Sequence, residues 1–214
     1  MSYALAMWIL TQTLATGVLI DHTIDSETAG AGQFSKGKVA DRIVDSSQLT
    51  SDDSIILPPT WRTFVSPDGK YVFEVFTVDS WKSQTPNGRF AELGSGQENV
   101  VWTGGLPHEY GPRYVIVGNN AKVLLIDEWI NVKSRYALTI FDPYSVSIRH
   151  YDFDYLQDIL KVPVARIVEQ ANSGWWVTAP PQTGPRGVIV QIETAGKILE
   201  VNLETSEVYV AQSG

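Results

Sequence analysis

Cysteine is absent from the 214 residues. That excludes disulfides, thiolate catalysis and cysteine-ligated zinc, though it leaves the compartment open. Histidine occurs only three times. His22, His108 and His150 are isolated, so no pair stands at metal-ligand spacing and HExxH zinc chemistry is excluded. Nucleotide loops are missing too: there is no G-x-G-x-x-G and no Walker lysine. Gly94-Ser95-Gly96 lacks both the G-x-S-x-G spacing and the strand-to-helix elbow of a serine nucleophile. Positive charge is scarce, with 16 Lys and Arg against 24 Asp and Glu, a net charge of -8. Without a basic stripe, an acidic surface repels phosphates, so nucleic acid is not an expected partner.

The first basic residue is Lys36. Residues 1–20 therefore form an uncharged apolar segment, and two readings compete. One is an export signal or anchor, with Ala29-Gly30-Ala31 as the cleavage site. It lacks the positive n-region such signals carry. The other is an ordinary buried element of the domain. Thr11, Gln12 and Thr13 dilute the run below what a spanning helix needs. Membrane association is expected only through this segment, and exported or tethered versus cytoplasmic location stays open. Residues 21–54 are rich in Ser, Thr, Gly and Asp and read as a polar linker, with one short element near 39–44.

What is present is β-structure. Hydrophobic residues make up 43%, with seven Trp and nine Tyr, enough for a sizeable core over residues 55–214. Short apolar runs alternate with turn signals. Trp61–Val65 and Tyr71–Val78 flank Ser66-Pro67-Asp68-Gly69, a turn in which proline presets φ and glycine accepts a positive φ. Further strands are expected at 89–93, 99–103, 113–118, 122–127, 136–141, 145–152, 174–178, 187–194, 197–202 and 207–211. One helix is expected near 154–161, capped by Asp152 or Asp154 and stopped by Pro163.

A weak repeat overlies this pattern. WRTFV, a turn and KYVFEV resemble RYVIV, a turn and KVLLID, the turns at Ser66 and Gly118 lying about fifty residues apart. A third copy is expected to begin at Gly174-Trp175-Trp176-Val177. With these features the chain resembles the blades of WD40-like and TolB-like propellers. It resembles more closely a group of bacterial proteins with a SPDGKY hairpin, a VLLIDEW strand and a GWW segment. The resemblance covers residues 57–210 and implies an all-β, partial or irregular propeller-like stack of two to three antiparallel blades. Two or three blades cannot close a ring.

The candidates for chemistry are few. Asp127 and Glu128 follow the VLLI strand, where carboxylates either line a site mouth or bond loop backbone. Strand alternation sends them to opposite faces. His108, Glu109 and Arg113 share the loop GGLPHEYGPRY, which reads as a polar pocket or as an ordered connection. Asp152, Asp154 and Asp158 lack the glycine and terminal glutamate of a calcium loop, so a helix start is the simpler account. Trp129, Trp175 and Trp176 are the aromatic candidates for a binding surface, with Arg113. In a strand, Trp175 and Trp176 face opposite sides, so both cannot enter a one-sided core.

The sequence favours a non-enzymatic binding or structural β-module, with an unidentified protein or small ligand as partner and no cofactor or metal. Two alternatives stand beside it. One is a hydrolase-like enzyme using Asp127, Glu128 and His108. The other is an envelope-associated protein tethered by its N-terminus.

Overall fold

The Ser66–Gly69 turn closes the first hairpin. Gly69 sits at φ +72, and its amide donates to the Ser66 carbonyl at 2.9 Å. The Ser66 hydroxyl accepts from the Lys70 and Tyr71 amides. The strands it joins, β1 (Trp61–Val65) and β2 (Tyr71–Phe76), continue through β3 (Asn87–Leu93) and β4 (Glu98–Gly105) as a four-stranded antiparallel meander. β5 (Pro112–Val117), β6 (Val123–Glu128), β7 (Leu138–Asp142) and β8 (Ser147–Tyr151) repeat that order in a second sheet. Helices α1 (Phe153–Leu160) and α2 (Val164–Gln170) follow, then a third meander of β9 (Gln182–Thr183), β10 (Ile189–Thr194), β11 (Lys197–Asn202) and β12 (Glu207–Val210). This computed structural model describes residues 56–94 and 96–211, within the compact unit Asp52–Gly214. The apolar N-terminal segment, its cleavage site, the linker and Ser95 lie outside the described residues.

The fold is all-β with three propeller-like, four-stranded blades, and no barrel closes among the described residues. The second sheet is the middle layer, and β6 explains why. VLLI is an unbroken apolar run, the pattern of a strand covered on both faces. Val123 and Leu125 join Phe73, Val75 and Phe90 of the first sheet in one core cluster. Leu124 and Ile126 join Leu156, Ile167, Val190 and Leu199 of the helices and third sheet in another. The outward faces of the end sheets mix polar pairs with exposed Trp61, Val65, Ile198 and Tyr209. Glu74, Arg89 and Glu98 form an ion-pair ladder on the first, and Gln191 bonds Glu200 on the third.

Asn119 ties the three sheets at the turn end. Its Oδ1 accepts from the Asp68 amide at 3.0 Å, and its Nδ2 donates to the Arg186 carbonyl at 3.1 Å. Its own amide donates to the Gly187 carbonyl at 3.0 Å. Each contacted residue lies in the connection between the first two strands of its sheet. Asn119→Ala removes both side-chain bonds and is expected to lower stability by about 1–2 kcal/mol. Urea unfolding measures this, and an unchanged midpoint would show the tie to be dispensable.

Two expectations need correction. Residues 174–178 are not a strand. Gly174 lies at φ +141, and the Asn172 and Ser173 amides both turn back to the Val177 carbonyl. The aromatic content that suggested a strand is instead packed by a curled loop, and the third sheet begins at β9. A second helix also exists. Pro163 ends α1, after a left-handed Lys161, yet stands as the residue that opens α2. A proline costs nothing at a helix start, where its missing N–H has no partner to lose. Asp152 does cap α1, accepting from the Tyr155 amide at 2.8 Å.

Candidate functional site

The end of the stack opposite the Asn119 turns carries most of the unusual side chains. β1 and β5, the first strands of neighbouring sheets, lie side by side there. Arg62 reaches from β1 and donates to the Pro112 carbonyl at 2.7 Å and the Arg113 carbonyl at 3.4 Å. Arg113, on β5, donates through Nη2 to the Trp129 carbonyl and to Asn131 Oδ1, the latter at 2.6 Å. Both guanidinium groups lie against the Trp129 indole, at 5.0 and 5.6 Å from a ring centroid. Such cation–π placement holds both the ring and the charges. The Trp129 Nε1 donates to the Ile56 carbonyl at 2.7 Å.

Neither arginine forms an ion pair with a carboxylate among the described residues. The Nε atoms of both are buried without a hydrogen-bond partner among the described residues. Burial, and then the neighbouring Arg113 charge, lowers Arg62 to about 10. Beside the pair lies a cavity of about 370 Å3 lined by Ile56, Arg113, Trp129, Ile130 and Asn131.

The carboxylates serve the backbone. Asp127, in a left-handed conformation at φ +59, accepts from the Trp175 amide at 2.8 Å and its neighbour's amide, Glu128 N, at 3.0 Å. It pins the curled 173–176 loop, which Tyr114 also holds by donating to the Ser173 carbonyl. Gly174 lies between Asp127 and Arg113. A Cβ there would come within 2.5 Å of Asp127 Oδ2 and 3.0 Å of Arg113 Cδ. Glu128 turns the other way, accepting from the Glu109 amide at 2.8 Å and the Ser134 hydroxyl at 2.7 Å. Burial pushes Asp127 up to about 6, against the Trp175 amide's opposing pull. It pushes Glu128 up to about 7, against the Ser134 hydroxyl.

His108 is fully buried, with its ring 5.7 Å from that of Tyr136. Neither ring nitrogen has a partner at bonding geometry. The Tyr136 backbone favours the charged form weakly, but burial dominates and lowers His108 to about 3, so the ring is neutral. It borders a separate cavity of about 250 Å3 with Ser83, Gln84, Thr85 and Glu109.

Of the residues singled out by sequence, the structure brings Arg113 and Trp129 to one cavity. Asp127, Glu128 and His108 do not border it. Trp176 is buried in the core between the second and third sheets, and Trp175 packs edge-on to Phe153 at 4.5 Å. Asp154 pairs with Lys133 and Asp158 with Lys161. Arg62, Asn131 and Ile56 did not stand out in the sequence. The match of WRTFV with RYVIV gave no signal for Arg62, since it sets Arg62 opposite Tyr114.

A three-sheet, propeller-like β-module with an arginine–tryptophan cavity at one end is the class that fold and site define. No protein-family model matches the sequence, and no curated protein matches it. Among solved structures, an oligogalacturonate lyase in complex with manganese superposes with TM-score 0.39 and 12% identity, over 73% of this chain and 43% of that one. The chain thus spans less than half the length of that structure, and so loose a likeness carries no argument about activity.

Proposed function

We propose that this chain is a non-catalytic β-module that binds a ligand at the cavity beside Trp129. The observation that supports it is the pair of arginines held against Trp129 without an ion-paired carboxylate among the described residues. A cavity lined by an aromatic ring, aliphatic side chains and a few fixed polar groups suits ligand capture. The acids favour binding as well, because Asp127 is held by two backbone amides and Glu128 by the Glu109 amide and the Ser134 hydroxyl, and neither borders the cavity.

A screen of neutral aromatic fragments by ligand-observed NMR tests this. Ile130→Trp fills the cavity without removing a hydrogen bond and is expected to abolish the hits, while Glu128→Gln retains them. Hits that survive Ile130→Trp would reject the reading. The runner-up is a hydrolase using Asp127, Glu128 and His108. Two buried carboxyls with raised pKa values are the observation in its favour, since perturbed acids collect at catalytic sites. Under that reading Glu128→Gln, not Ile130→Trp, would remove function.

A further inference from the structure

We propose that the ligand of the Trp129 cavity is a flat molecule carrying a carboxylate, which Arg113 and Asn131 hold while its body lies against Trp129, Ile56 and Ile130. This rests on the binding reading above and names the ligand class for the same site.

The donors come first. Arg113 uses Nη2 for the Trp129 carbonyl and Asn131 Oδ1. Its Nη1 donates to no protein acceptor among the described residues, and its Nε is buried and unpartnered. Because Asn131 Oδ1 accepts from Arg113, the Asn131 amide group turns its two N–H donors elsewhere. The free Arg113 Nη1 and the Asn131 amide group can each offer an N–H to one oxygen of a carboxylate.

The charge balance points the same way. Arg62 lies against the same indole and adds a second positive charge behind the wall. Asp127 feels the Arg113 charge, yet it forms no ion pair with it among the described residues, and its Oδ2 accepts from the Trp175 amide. The two guanidinium groups repel each other, and a bound anion relieves that repulsion.

The remaining wall is apolar. Ile56, Ile130 and the Trp129 ring leave a bare inorganic anion without contacts on most sides, whereas a carboxylate on a flat apolar body satisfies both halves of the cavity.

Titration of the full chain with benzoate, benzamide and inorganic phosphate, followed by Trp fluorescence and NMR shifts, tests the proposal. Benzoate is expected to saturate with a Kd on the order of millimolar, as for a small fragment. Benzamide should bind about tenfold or more weakly, since it has the same body without the charge. Asn131→Asp places a carboxylate beside Arg113. It should raise Tm while weakening benzoate about tenfold or more, a pair of effects that misfolding cannot mimic. If benzamide binds as tightly as benzoate and Ile130→Trp abolishes both, the cavity reading stands and the carboxylate class is overturned. Phosphate binding tighter than benzoate overturns the class also. If none of the three binds, both readings fall.

Discussion

Gly174→Ala is expected to be the most damaging small substitution in the domain. Its φ of +141 belongs to a region that residues with a Cβ avoid, at a cost of about 1–3 kcal/mol. The new methyl would also stand 2.5 Å from Asp127 Oδ2 and 3.0 Å from Arg113 Cδ. Neither neighbour can step aside freely. Asp127 is held by two backbone amides, and Arg113 by the Trp129 carbonyl and Asn131. Such overpacking costs about another 1–3 kcal/mol. Gly196→Ala is the control, because Gly196 has φ +75 and a methyl added there would meet nothing within 4 Å. Urea unfolding of both variants should show Gly174→Ala losing clearly more than Gly196→Ala. Equal losses would show that only backbone strain matters and that the Asp127–Gly174–Arg113 packing is not tight. The 173–176 loop also borders Arg113, so Gly174→Ala should disturb the Trp129 cavity as well.

Changing pH should separate the buried acids from the buried base. Asp127 rises from 3.8 to about 6 and Glu128 from 4.5 to about 7 on folding, both through burial. Their protonated forms favour the folded state, so that stability is fully present below the unfolded values and is lost as pH climbs through 6 and 7. His108 falls from 6.5 to about 3. Its contribution is fully present above 6.5 and is lost as pH drops toward 3. Between about pH 4.5 and 6.5 the two trends oppose each other and flatten the wild-type profile. His108→Gln removes the base, so this variant should gain stability on acidification through that window relative to wild type. Asp127→Asn with Glu128→Gln leaves the histidine unopposed. That double variant should lose stability on acidification, with a slope up to about 1.4 kcal/mol per pH unit for one proton. Chemical denaturation at several pH values measures the slopes. Three parallel profiles would mean that these groups are not buried as described.

The hairpins were legible because turn chemistry is local. Pro67 and Gly69 impose their dihedral angles whatever surrounds them, and VLLI announces a strand covered on both faces. The Asp152 cap was legible for the same reason. The Gly174–Thr178 loop was not. Its tryptophans carry strand propensity, but that propensity measures fit to a pleated surface and yields when tertiary partners offer more. Here Asp127 and Tyr114, distant in sequence, supply those partners. The second helix was missed because Pro163 reads as a stop from one side and a start from the other.

Arg113 and Trp129 stood out in sequence, but nothing there could say that they share a cavity, since their side chains meet only once β5 pairs with β6. Arg62 lies a whole sheet earlier and enters only because β1 runs beside β5. By itself the sequence determined the all-β class, the turns and the middle strand, all set by dihedral preference and hydrophobic pattern over a few residues. Only the tertiary structure decided which charges are neutralised. Ion pairing depends on distances between segments far apart in the chain.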